Sequence, residues 1–380
     1  MRGVARDKSC GDGDMTPAPM WLKRDYRAVS YALCSCVLGV IFMRLFVYFV
    51  PMPSGGYGQS LAAHAVFALP TQLIFFFAVP FCIYKFYGKR TVKKTFLYSS
   101  CGRFKPYYLF ALPLGCAAFV LTLGISSAWT ALLKLTGYVV VPSSEPMPEK
   151  FVFGFFLAEI LMTAVLPAVC EEFAVRGGLL TTAQNTFKTA GCVVLCAVVF
   201  GLFHQNVRQV FYTALFGAVA AFVVVKTKSL YPAMLMHFGN NFCSVFFDYA
   251  DNYGWGALGK LYDAINVMPL WALLLLFLFA AAVGAAAIVA MLYFKDRQVI
   301  ERKKEVLKDS AFDATNKRVV LMGEFDPERV ESLEMEKEVY GADYSRELFK
   351  PSARDIMIPV ALGVVTLCTT VFTYVWGFFY

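Results

Sequence analysis

Charge and histidine are scarce in this chain. Only 16% of its 380 residues are Asp, Glu, Lys or Arg, against 58% hydrophobic. That balance excludes an ordinary soluble domain. With three histidines in all, any that falls inside an apolar run needs a reason to be there. Eleven cysteines are scattered, mostly within apolar runs, and none forms a CxxC pair. They spell out no disulfide framework and are read as small apolar core residues. A helix with H-E-x-x-H spacing is absent, as are internal repeats and low-complexity tracts. The first apolar run is too long for a signal peptide and lacks a small-residue cleavage site, so it is expected to stay attached.

What the chain has is hydrophobic length. Apolar stretches near the roughly 20 residues that cross a bilayer fall at 26–50, 60–86, 107–133, 151–170, 189–203, 209–225, 229–247, 270–294 and 355–380. The expected fold is therefore all-α, a polytopic bundle of about eight to nine transmembrane helices. With the N-terminus cytoplasmic, thirty of the 35 Lys and Arg fall in cytoplasmic segments. Only Lys134, Lys150, Arg208 and Lys260 lie outside, and Arg44 lies within the first span. This follows the positive-inside rule. The formal charge of +8 is then an orientation signal and an attraction to anionic lipid, and it implies no nucleic-acid partner. The organisation read from these runs is a cytoplasmic segment 1–25, a membrane bundle 26–294, a charged cytoplasmic segment 295–354 and a final span 355–380. The expected location is an integral, multi-pass membrane protein, in the cell membrane if the source is bacterial.

Against that background the polar residues of the bundle stand out. Glu171 and Glu172 close an apolar run that starts at Phe151, and Arg176 follows one turn later. An ionisable group at membrane depth costs about 3 kcal/mol on insertion scales, so three together point to use. Glu172 and Arg176 are four apart and share a helix face, where an ion pair neutralises both. Glu171 is about 100° further round, free to face another helix, and is assigned as the reactive carboxylate. Such a carboxylate can act as general base toward water, particularly where an imidazole shares that water. His204 is the candidate partner, with Phe200 one turn earlier packing beneath it. His237 and Asn241 are again four apart on one face. An amide donates well to a developing oxyanion and is a poor zinc ligand. Together these groups fit hydrolysis of an amide. Cys170 would need a basic neighbour to act as a nucleophile and ranks below Glu171. His64 is isolated and read as structural, and Glu159, toward the outer end of the fourth span, is left unassigned.

Glu171-Glu172-x-x-x-Arg176, Phe200-x-x-x-His204 and His237-x-x-x-Asn241 resemble the three motifs of the CPBP family of intramembrane proteases. That family includes the type II CAAX prenyl endopeptidases and the bacteriocin-processing or immunity-type (ABI) proteins. The resemblance covers about residues 151–250. It implies an all-helical protease core whose motif residues line a membrane-embedded cavity. Glu171 and His204 would activate water, and His237 and Asn241 would stabilise the oxyanion. Members have been described both as metalloproteases and as glutamate proteases. Zinc would need Glu171, His204 and His237, a His2Glu set with an open position. The amide at Asn241 favours catalysis without metal or other cofactor. The expected partners are the lipid bilayer and a peptide or protein substrate, with prenylated and membrane-bound substrates both among the candidates.

Two other functions fit the same composition. A non-enzymatic scaffold or immunity-type protein would keep the fold without needing Glu171. A proton-coupled transporter would use buried Glu and His, yet repeat symmetry and paired broken helices are missing. The protease reading carries a geometric demand. Straight antiparallel spans would put Glu171 near the cytoplasmic end of the fourth and His204 at the outer end of the fifth. Equal depth requires the fourth helix to continue past Arg176 to about Gln184 and to turn near Thr186–Lys188. The four catalytic candidates should then converge on a single cavity.

Overall fold

The structure, a computed structural model, describes residues 20–49, 56–90, 104–139, 147–184, 187–257, 260, 264, 268–308 and 353–376. Most of the expected cytoplasmic ends, residues 1–19 and 309–352, lie outside the described residues. Among the described residues every regular element is helical. The helices are α1 (Met20–Phe49), α2 (Tyr57–Tyr87), α3 (Pro106–Leu135), α4 (Phe153–Ala183), α5 (Thr189–Phe203), α6 (Val210–Thr227), α7 (Tyr231–Asn252), α8 (Leu270–Lys308) and α9 (Ala353–Trp376).

These nine match the nine apolar runs in order, but seven are long and apolar enough to cross a membrane. Of the other two, α5 has 15 residues, short of the usual span. The second, α7, carries His237, Asn240, Asn241, Asp248 and Asp251, a polar stripe of which His237 is buried and the two aspartates are exposed. Two helices run past the apolar runs that mark them. Helix α1 begins at Met20, ahead of its apolar run, and Asp25 near its start is buried against Arg90 and Thr182. At the other end, α8 runs 39 residues, about 58 Å at 1.5 Å per residue, and so carries its helix through Lys308 into the charged segment.

Helices α2 and α4 are interrupted by proline and locally widened into π-turns. The interruptions free carbonyl groups, which a membrane bundle must satisfy from other helices. Pro80 has no N–H for the carbonyl of Phe75 in the π register, and Ser35 of α1 donates to that carbonyl at 2.9 Å. Pro167 has none for the carbonyl of Thr163 in the α register, and the side-chain amide of Asn241 donates there at 2.9 Å. Helices α3 and α7 meet backbone to backbone at Gly115 and Gly239. A Cβ at Gly115 would run into the carbonyl of Met236 and the Cα of Gly239, so the small residues set the contact.

Helix α4 continues past Arg176 to Ala183, and the chain turns before α5 starts at Thr189. Its 31 residues span about 46 Å. Counted from this turn, Glu171 is 12 residues back from Ala183 and His204 is 15 on from Thr189, about 18 and 22 Å along their helices. The two side chains thus stand at comparable depth. The end of α4 is pinned by Arg90, which pairs with Asp25 of α1 and donates to Thr182 and, at 3.2 Å, to the Gly177 carbonyl.

Candidate active site

Glu171 and His204 line one cavity of about 90 Å³, together with Val40, Arg44, Gln72 and Phe200. A water needs roughly 10–15 Å³ of such space and several polar partners, so the cavity can hold water between the two. The carboxylate of Glu171 accepts a hydrogen bond from Gln72 Nε2 at 2.9 Å. His204 caps α5, with Nδ1 2.8 Å from the Phe200 carbonyl. A carbonyl can only accept, so in the neutral ring Nδ1 carries the proton and Nε2 keeps its lone pair. Arg44 of α1 donates to the His204 carbonyl at 3.1 Å, tying the end of α5 to the first helix.

Glu172 and Arg176 are completely buried and pair at 3.0 Å, as the i,i+4 spacing predicts. Arg176 also donates to the Gly217 carbonyl of α6 at 3.1 Å, and its guanidinium lies 4.3 Å from the Phe200 ring centre. Phe200 therefore packs beneath both the cation and the imidazole of His204, 5.0 Å between ring centres. Its ring also stands 5.9 Å from that of His237.

The arrangement of the third motif differs from the sequence expectation. His237 is buried and its Nδ1 lies 3.0 Å from Glu172 Oε1. It is not among the residues lining the cavity, and neither is Asn241. The reason is the demand of a buried anion, since Glu172 gains a second donor from a helix packed beside it. Asn241 uses one N–H on the Thr163 carbonyl, and its carbonyl oxygen accepts from Asn240 at 2.9 Å. Asn240 in turn accepts from Thr122 at 3.4 Å. This chain orients the amide and leaves its second N–H available.

A zinc site would need Glu171, His204 and His237 gathered around one point. Among the described residues no group of three His, Cys, Asp or Glu stands so that it could hold a metal ion; Glu172 takes Nδ1 of His237 and leaves its Nε2 open.

Sequence reasoning missed Gln72, Arg44 as a partner of His204, and Asn240. The available signal was a lone amide or cation within an otherwise apolar span. Glu159, unassigned from sequence, accepts from Tyr57, whose hydroxyl also lies 3.1 Å from that of Tyr249. His64 is exposed on the outside of α2. Cys170 is buried.

No curated protein and no solved structure matches the chain. A family model does, that of the type II CAAX prenyl endopeptidase Rce1-like proteins, over residues 153–243. The match takes in all three motifs over about a quarter of the chain's length and is consistent with the resemblance to the CPBP family of CAAX-type proteases.

Proposed function

We propose that this integral membrane protein is an endopeptidase that hydrolyses a peptide bond of a membrane-bound protein substrate by activating water with Glu171 and His204. The observation that carries the reading is the single cavity shared by these two side chains. A water between the carboxylate of Glu171 and Nε2 of His204 meets two acceptors. It donates one proton to each and keeps a lone pair for the substrate carbonyl. As that lone pair forms the new C–O bond, one water proton passes to Glu171 and the carbonyl electrons move onto its oxygen. Breakdown of the tetrahedral intermediate returns the proton to the leaving amine. Asn241 lies outside the lining of this cavity, so its second N–H stabilises the oxyanion only with the substrate carbonyl reaching from the cavity toward α7. With Nδ1–H turned to Glu172, neutral His237 offers only a lone pair at Nε2. It can donate to the oxyanion only as an imidazolium, whose charge Glu172 would offset. No step runs through a metal ion. The substrate chemistry in the family description, CAAX prenyl, is adopted for this chain as the first class to assay, and the distribution of basic residues supports a cytoplasmic N-terminus.

The test is cleavage of a prenylated peptide by purified full-length protein in detergent, with Glu171→Gln as the control. Loss of cleavage in a variant that still folds supports the assignment, whereas substantial residual activity refutes it. A folded wild-type protein that cleaves neither prenylated nor unmodified membrane-anchored peptides would favour the scaffold reading, and proton-coupled flux in vesicles the transporter.

A further inference from the structure

We infer that Gln72 is a positioning residue for the reaction, holding the Glu171 carboxylate toward the cavity from a helix outside the family-matched segment. The inference rests on the proposed role of Glu171 as base. Gln72 sits in α2, two residues after Pro70, in the π-widened stretch Thr71–Ala78. Within that stretch its neighbours Leu73, Ile74, Phe75, Phe76 and Phe77 are all apolar. An amide there has lost water and needs a reason to stay. Widened turns re-aim side chains and occur often at functional sites. Here the turn places Gln72 Nε2 2.9 Å from Glu171 Oε1, and both residues line the cavity.

The orientation of the amide follows from charge. Its carbonyl oxygen turned toward an ionised carboxylate would repel it, so the NH₂ group must face Glu171. The carbonyl oxygen of Gln72 has no hydrogen-bond partner among the described residues. The bond to Glu171 is thus what orders this amide, and equally what limits rotation of the carboxylate. A general base held within hydrogen-bond reach of its water works at full effect, and a displacement of about 1 Å can cost on the order of a hundredfold.

The experiment compares full-length wild type with Gln72→Leu and Gln72→Glu, reading kcat, KM, the pH profile and the thermal midpoint. In Gln72→Leu the expectation is a ten- to hundredfold fall in kcat with KM within twofold and an unchanged midpoint. Loss of fold alone would lower the amount of active protein without changing the pH profile of the remainder. Gln72→Glu keeps the shape and sets a second carboxylate against Glu171, so the acid limb of the profile should move to higher pH. If Gln72→Leu does not fold, Gln72→Glu decides alone. Wild-type kcat in Gln72→Leu, or an unmoved acid limb in Gln72→Glu, overturns the inference. If Glu171→Gln is inactive while Gln72→Leu is fully active, only this inference fails. If Glu171→Gln is itself active, the base assignment fails first.

Discussion

His237 and Arg176 share one acceptor: Nδ1 of the imidazole and Nη1 of the guanidinium each lie 3.0 Å from Oε1 of Glu172. The second glutamate of the motif is thus the joint at which α4 and α7 are held together inside the bundle. Its replacement by Gln should leave Arg176 buried without its counter-charge, costing about 3–5 kcal/mol. A lower thermal midpoint accompanied by loss of cleavage is expected. The double variant Glu172→Gln/Arg176→Met should recover part of the midpoint. A single variant as stable as wild type would show that the pair contributes little.

Asn241 should behave as a transition-state donor. Removing one such donor costs roughly 10²–10³ in kcat, so Asn241→Ala should lose that much with little change in KM. Asn241→Asp, which turns a donor into an acceptor, should be weaker still. Equal losses in kcat for Asn241→Ala and Asn240→Ala would instead point to a shared packing role, since Asn240 donates to the Asn241 carbonyl oxygen.

Prolonged chelation should leave activity intact, and purified protein should contain no stoichiometric zinc. The argument is the amide of the third motif, Asn241, which donates well to an oxyanion and is a poor zinc ligand. About one zinc per chain, with activity lost on removal and restored on return, would reverse it.

Gly115→Ala tests the contact between α3 and α7. The added methyl meets the Met236 carbonyl and the Gly239 backbone, neither of which can move aside as a flexible side chain would. Overpacking of this kind costs about 1–3 kcal/mol, read as a lower thermal midpoint. Because Met236 adjoins His237, activity should fall as well. A variant indistinguishable from wild type would mean that α3 and α7 can separate freely.

Hydropathy alone marks all nine helices in order, because each must bury its backbone polar groups within itself and present apolar side chains outward. The i,i+4 rule likewise places Arg176 beside Glu172. The depth argument, which needs only the rise per residue, requires α4 to run beyond Arg176 as it does. Other features depend on pairings between distant positions that no local pattern encodes. Gln72 and Glu171 are 99 residues apart, and Glu172 and His237 are 65 apart. The His237–Asn241 spacing put both side chains on one face without saying which polar groups of α4 would take them up. Proline decided part of this, since Pro167 leaves the Thr163 carbonyl that Asn241 then satisfies.

The tie from Arg44 to the His204 carbonyl bears on how this domain can be cut or moved. Residues 153–243 carry every motif, yet the end of α5 is fastened by α1 and the Glu171 carboxylate is held by α2. An excised segment, or one grafted behind a different pair of leading helices, would contain the right letters without the scaffold that aims them. The motif-bearing segment is thus not a transplantable cassette, and variants of the first ninety residues belong among those expected to alter the proposed turnover.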